Sequence, residues 1–126
     1  MPDRSPSTAH ALENMLNAQF DLELGMGHDL LEINGEERAT FVRDTVLACC
    51  HELHEALDEI GWKPWATSRH FNRQAYLEEL IDAFHFLMSL WLTAQGTTEE
   101  WQRMYFEKWR ENRRRQQDGY TGVKDA

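Results

Sequence analysis

Helix breakers fall at only a few places in this chain, and every stretch between them repeats at helical spacing. Gly25 and Gly27, Asn34 and Gly35, Gly61 and Pro64, Gly96, and Gly119 mark the interruptions. Four segments remain. The first runs from about 8 to 24 and sets Leu12, Met15, Leu16 and Phe20 on one face. The second, from about 35 to 60, steps Val42, Val46, Cys49, Leu53, Ala56 and Ile60 by threes and fours. The third, from about 73 to 94, predicts Leu77, Leu80, Ile81, Phe84, Leu87 and Trp91 inward. The fourth, from about 97 to 117, predicts Trp101, Met104 and Tyr105 inward. Asn34 is the expected N-cap of the second segment, and Thr97-Thr98-Glu99-Glu100 has the form of a capping box. No segment alternates with period two. Apolar stripes of period 3.6 joined by short loops predict an all-α, antiparallel bundle of four to five helices.

The 126 residues leave room for one core, so residues 1–126 are expected to form a single domain with a polar tail after about 119. A net charge of −9 disfavours non-specific nucleic-acid binding. Five Trp, six Phe and three Tyr carry too much apolar surface for a disordered chain. A helical domain this small buries a modest share of its surface, which favours pairing as a homodimer or higher homo-oligomer. Cys49 and Cys50 are adjacent, a poor arrangement for a structural disulfide, and point to a reducing compartment. Residues 1–10 carry no apolar leader, and no apolar run approaches the roughly 20 residues of a membrane helix. The expected location is cytoplasmic, with no membrane or nucleic-acid partner.

The charge is uneven. Acid gathers in residues 52–59 and base in residues 108–115. Glu52 and Glu55 stand three apart on the second segment, Glu79 and Asp82 three apart on the third, and such pairs share a helix face. Four carboxylates brought together cannot all stay ionised without a cation, and magnesium is the hard cation that takes such oxygen ligands. Solvated acidic faces are the alternative. On the fourth segment Lys108, Asn112 and Arg115 share a face that offers an ammonium, an amide and a guanidinium, all suited to phosphate oxygens. A solvated basic stripe is the alternative there, and the better reading of Arg110, Arg113 and Arg114.

Between the acidic segments, Trp62 and Trp65 flank Lys63. An indole can stack on a base and an ammonium can meet a phosphate; equally, both Trp can seal a bundle end. His51 and His54 are three apart, so they do not form the zinc-protease motif, which needs four. A di-iron bundle needs Glu-x-x-His on two helices, and only Asp82-x-x-His85 comes near it.

The order of these elements carries a resemblance. Glu52-x-x-Glu55 is followed by Trp62-Lys63-x-Trp65, then Glu79-x-x-Asp82-x-x-His85-Phe86, then Lys108-x-x-x-Asn112-x-x-Arg115 and Gly119-Tyr120. From about Gln19 to Tyr120 the chain resembles the all-α, dimeric-type dUTP diphosphatases, within the MazG-like superfamily of pyrophosphohydrolases. The resemblance implies that Glu52, Glu55, Glu79 and Asp82 ligate roughly two or three magnesium ions, which manganese can replace. It implies that Lys63, Lys108, Asn112, Arg115 and Tyr120 hold the phosphates, and that Gln19, Trp62, Trp65, His85 and Phe86 surround base and sugar. The implied reaction converts dUTP and water to dUMP and pyrophosphate, in a dimer whose sites lie near the subunit contact. Glu52, which opens the first pair, is the expected catalytic residue that positions and deprotonates the water.

Two departures bear on this. The chain is shorter than most family members. Where the family often carries an Asn soon after the first-helix Gln, this chain has Phe20, Asp21, Leu22 and Glu23. The base therefore stays open between uracil and that of another substrate (dCTP, dGTP or dATP). A non-enzymatic helical binding module is the reading from outside this chemistry.

Overall fold

The computed structural model describes residues 10–119. It holds four helices, α1 (Ala11–Gly25), α2 (Gly35–Asp58), α3 (Arg73–Thr93) and α4 (Thr98–Gln117), with no strand among the described residues. The all-α class expected from the breaker pattern is the class observed. Thr8, Tyr120 and the polar tail lie outside the described residues. The chain divides into two compact units, Met1–Gln95 and Gly96–Ala126. No described helix is long and apolar enough to cross a membrane.

Helix ends follow local chemistry. After α1 the amides of Met26 and Gly27 bond back to Glu23 O and Leu24 O, and Gly27 turns the chain at a φ of 92°, where a side chain would be strained. Asn34 occupies the N-cap position of α2 but does not cap it. Its Nδ2 donates instead to Glu32 O at 3.1 Å. α2 stops at Asp58, short of the expected Ile60, because Glu59 and Ile60 tighten into a turn and Ile60 then pairs with Phe71. The Thr97 capping box is present: Glu100 N donates to Thr97 Oγ1 at 3.1 Å, and Thr97 N donates to Glu100 Oε1 at 3.2 Å.

In the first unit α3 packs against both α2 and α1. The pairing of Ile60 with Phe71 at one end, and a hydrogen bond from Cys49 Sγ to Ala83 O at 3.4 Å further along, show that α2 and α3 run antiparallel. Leu16, Leu30, Ile33, Ala56, Ala83, Met88 and Leu92 form the apolar core. Complete burial of Leu30, in the turn between α1 and α2, contributes about 1.5–3 kcal/mol.

The buried faces differ from those the apolar spacing predicts. On α2 the inward line passes through Val42, Thr45, Cys49, Glu52 and Ala56, while Val46 and Leu53 are exposed. On α3, Leu77, Ile81 and Leu87 are exposed, and Ala83, Met88, Ser89 and Leu92 are buried. Met15 on α1 and Met104 and Tyr105 on α4 are also exposed. Apolar residues fall on several sides of α3, so spacing alone could not choose the sides that meet α1 and α2.

Candidate functional site

The polar step in the α2 stripe falls where α2 crosses α3. Glu52 and Glu55 project from α2 and Glu79 from α3, all half-buried, with one carboxylate oxygen of each within 4.8 Å of the others. With all three carboxyls ionised, Glu52 Oε2 and Glu79 Oε2 are buried with no hydrogen-bond donor to pair them. His51 Nε2 lies 2.8 Å from Glu55 Oε1, an ion pair when the imidazole is protonated.

Three carboxyl groups this close share protons. Glu79 is pushed up to about 7, first by its hydrogen bonds to Glu52 and Glu55, with burial and repulsion adding to the effect. Glu55 is held below its ordinary value, chiefly because it accepts a hydrogen bond from Glu79. The donors are all oxygen, which suits a hard divalent cation such as magnesium. The two orphaned oxygens point to the same fit, since a buried polar atom without a partner is costly unless something binds it.

Asp82, expected as the fourth ligand, is exposed and stands outside this set. Three residues fall about 60° short of a full helical turn, which sets Asp82 at the solvent edge of the face it shares with Glu79.

The loop after α2 is tightly built. Gly61 N donates to His70 O at 2.9 Å, and Asn72 N to Glu59 O at 2.9 Å. The Arg69 guanidinium spans the loop: Nη1 donates to the carbonyls of Gly61, Lys63, Ala66 and Ser68 at 3.0–3.4 Å, and Nη2 to that of Pro64 at 3.3 Å. Trp62 and Lys63 line a cavity of about 250 Å³ at this end, with Ile60 and His70. Trp65 is 76% exposed and seals nothing.

Gln19 of α1 and His85 of α3 line one cavity of about 200 Å³ with apolar walls that include Leu22, Ile81 and Phe84. Phe86 is half-buried and does not line it. On α4, Glu111 bonds Arg115 Nη2 at 2.9 Å and lies 3.7 Å from Lys108 Nζ; Asn112 is exposed.

The structure thus groups three of the four expected acids, groups Gln19 with His85, and sets Trp62 beside Lys63. Arg69 and the buried Ser89 and Glu23 are not among the residues the sequence singles out. A lone Arg among loop residues and a Ser inside an apolar helix give no periodic signal.

A protein-family model described as dUTPase matches residues 11–104. The chain belongs to the all-α dUTPase family. The matched span takes in α1 through α3, including the three grouped acids, and the first turns of α4; Lys108, Asn112, Arg115 and Tyr120 lie beyond it. Members are nucleoside triphosphate pyrophosphohydrolases, so this chain is an enzyme of that class, with dUTP hydrolysis as its general activity. The family is generally metal-dependent, and the acidic cluster is a possible seat for the metal. Comparison with curated proteins and with solved structures gave no match.

Proposed function

We propose that this chain hydrolyses dUTP to dUMP and pyrophosphate in a magnesium-dependent reaction at the α2–α3 crossing. The observation that carries the reading is the convergence of Glu52, Glu55 and Glu79, with two buried carboxylate oxygens left unpartnered. These three residues would hold the metal, with Asp82 joining them through a change of side-chain rotamer. Bound magnesium supplies charge neutralisation along the triphosphate and acidifies a water.

The chain's own residues do the rest. Glu52 positions the water and takes its proton as the water oxygen bonds to phosphorus and the P–O bond at the α,β-bridging oxygen breaks, leaving dUMP and pyrophosphate. Lys63 meets the developing phosphate charge, and the loop held by Arg69 fixes its place. Lys108, Asn112 and Arg115 share one face of α4 and are assigned to the phosphates with Tyr120, on the strength of the sequence pattern. Gln19 and His85 face the base from the α1–α3 cavity, and Trp62, Trp65 and Phe86 complete its surroundings. The exposed apolar side chains of Met15, Leu22 and Ile81 around that cavity support a homodimer.

The test is a product assay with magnesium and each dNTP in turn, with Glu79→Ala as control. Monophosphate and pyrophosphate from dUTP, absent in the control, are the expected result. The same products from another dNTP would keep the chemistry and discard the base. A folded protein that hydrolyses none of them would overturn the proposal.

A further inference from the structure

Behind Gln19, three polar side chains that the chemistry above does not explain continue a line from the α1–α3 interface: Ser89, Glu23 and His28. Gln19 Nε2 donates to Ser89 Oγ at 2.8 Å, and Ser89 Oγ donates to Glu23 Oε1 at 3.0 Å. Glu23 Oε2 lies 2.8 Å from His28 Nδ1. Gln19 and Glu23 are 5% exposed and Ser89 0%. Burying such groups is unfavourable unless each is partnered, and apolar side chains would join α1 to α3 without that demand.

The line has a direction. A carboxylate offers acceptors only, so the single Ser89 proton goes to Glu23. Ser89 Oγ can then only accept from Gln19, and the amide atom beside it has to be the NH₂. Turning the amide over would set two acceptors face to face, with a buried polar group unsatisfied. The Gln19 carbonyl oxygen Oε1 is thereby the atom left for the cavity that Gln19 shares with His85.

We propose that Glu23 and Ser89 are positioning residues that hold the Gln19 carbonyl oxygen as a hydrogen-bond acceptor toward the substrate's base. The cavity then favours a base that presents an N–H there, as the imide of uracil does, over one that presents a bare ring nitrogen, as cytosine does at the same position. This rests on the reading of Gln19 as a base-facing residue of a nucleotide hydrolase. It also supplies a selectivity for uracil that does not depend on the Asn missing after Gln19.

The experiment measures kcat and KM for dUTP and dCTP in the wild type, Glu23→Gln and Ser89→Ala, with thermal melts to establish folding. A carboxamide at position 23 can donate as well as accept, so it releases the Ser89 proton and lets the Gln19 amide turn over. The dUTP-to-dCTP ratio of kcat/KM is expected to fall by about tenfold or more, through KM and not kcat. A purely structural role would lower both substrates alike, and an unchanged ratio in a folded variant overturns the proposal. Wild-type enzyme with N3-methyl-dUTP gives a second reading that needs no variant. Loss of about tenfold or more in kcat/KM is expected, and equality with dUTP overturns the proposal. A wild type that hydrolyses no dNTP would overturn the proposed function itself. A wild type that prefers dUTP, with the ratio preserved in Glu23→Gln, would remove the relay alone.

Discussion

Replacing Gly61 by Ala tests whether the loop between the acidic helices belongs to the site. A Cβ at Gly61 would stand 2.3 Å from Ser68 O, 2.7 Å from Arg69 Cα and 3.0 Å from His70 N. All three are backbone atoms that no rotamer change can move aside. An ordinary carbon–oxygen approach is about 3.3 Å, so the two sides of the loop must separate by roughly 1 Å. That separation breaks the bond from Gly61 N to His70 O and shifts the carbonyls gathered by Arg69. The stability loss should match other overpacking changes, about 1–3 kcal/mol. The larger effect is on rate. Lys63 and Trp62 ride on the displaced side, and a misplacement of about 1 Å in a positioning element costs on the order of 10²-fold. Thermal melting and kcat/KM for dUTP with magnesium measure the two effects. A Gly61→Ala enzyme that melts lower but keeps kcat/KM within about threefold would remove the loop from the site. One that melts and turns over like the wild type would refute the clash itself.

Arg69→Lys keeps the charge but cannot reach five carbonyls from one planar group, so its kcat/KM should drop by about tenfold with the helices intact by circular dichroism. Full activity would show that the loop holds its shape without the guanidinium. Glu79→Gln removes one charge from the cluster; metal-free protein should melt no lower than wild type, and the gain in Tm from added magnesium should shrink sharply. An undiminished magnesium shift would place the metal elsewhere. Because Glu79 is raised from 4.5 to about 7, the folded state binds more protons than the unfolded state within that interval. Metal-free stability from Glu79 is therefore fully present below 4.5 and lost as pH rises through about 7. Magnesium affinity should rise over the same range as the shared proton leaves, and titration calorimetry at several pH values would expose a flat profile that contradicts this.

Much of this was legible in the residues. Breakers and the Thr97 box placed the helices, because Gly, Pro and caps act through the local backbone. Glu52, Glu55 and Glu79 are legible because helical spacing sets Glu52 and Glu55 on one face and the antiparallel return of α3 brings Glu79 alongside. The side each helix buries was harder to read. Val46 and Leu53 looked like core and are exposed, since the inward line takes in Thr45 and Glu52 at the same spacing. The fan of bonds from Arg69 and the line through Ser89 depend on tertiary approach between residues that no repeat connects.

The crossing of α2 and α3 is also where this molecule should open first. On one side of the acidic step lies the Cys49–Ala83 contact and on the other the Ile60–Phe71 pairing, both cohesive. Between them sit groups that repel as soon as the shared proton is lost. A cation bound there, alone or with its nucleotide, would tie the two helices together across that seam. Amide hydrogens of α2 near Glu52 should then exchange quickly in empty enzyme at alkaline pH and slowly in loaded enzyme, so that occupancy of the substrate pool is written into the lifetime of the fold.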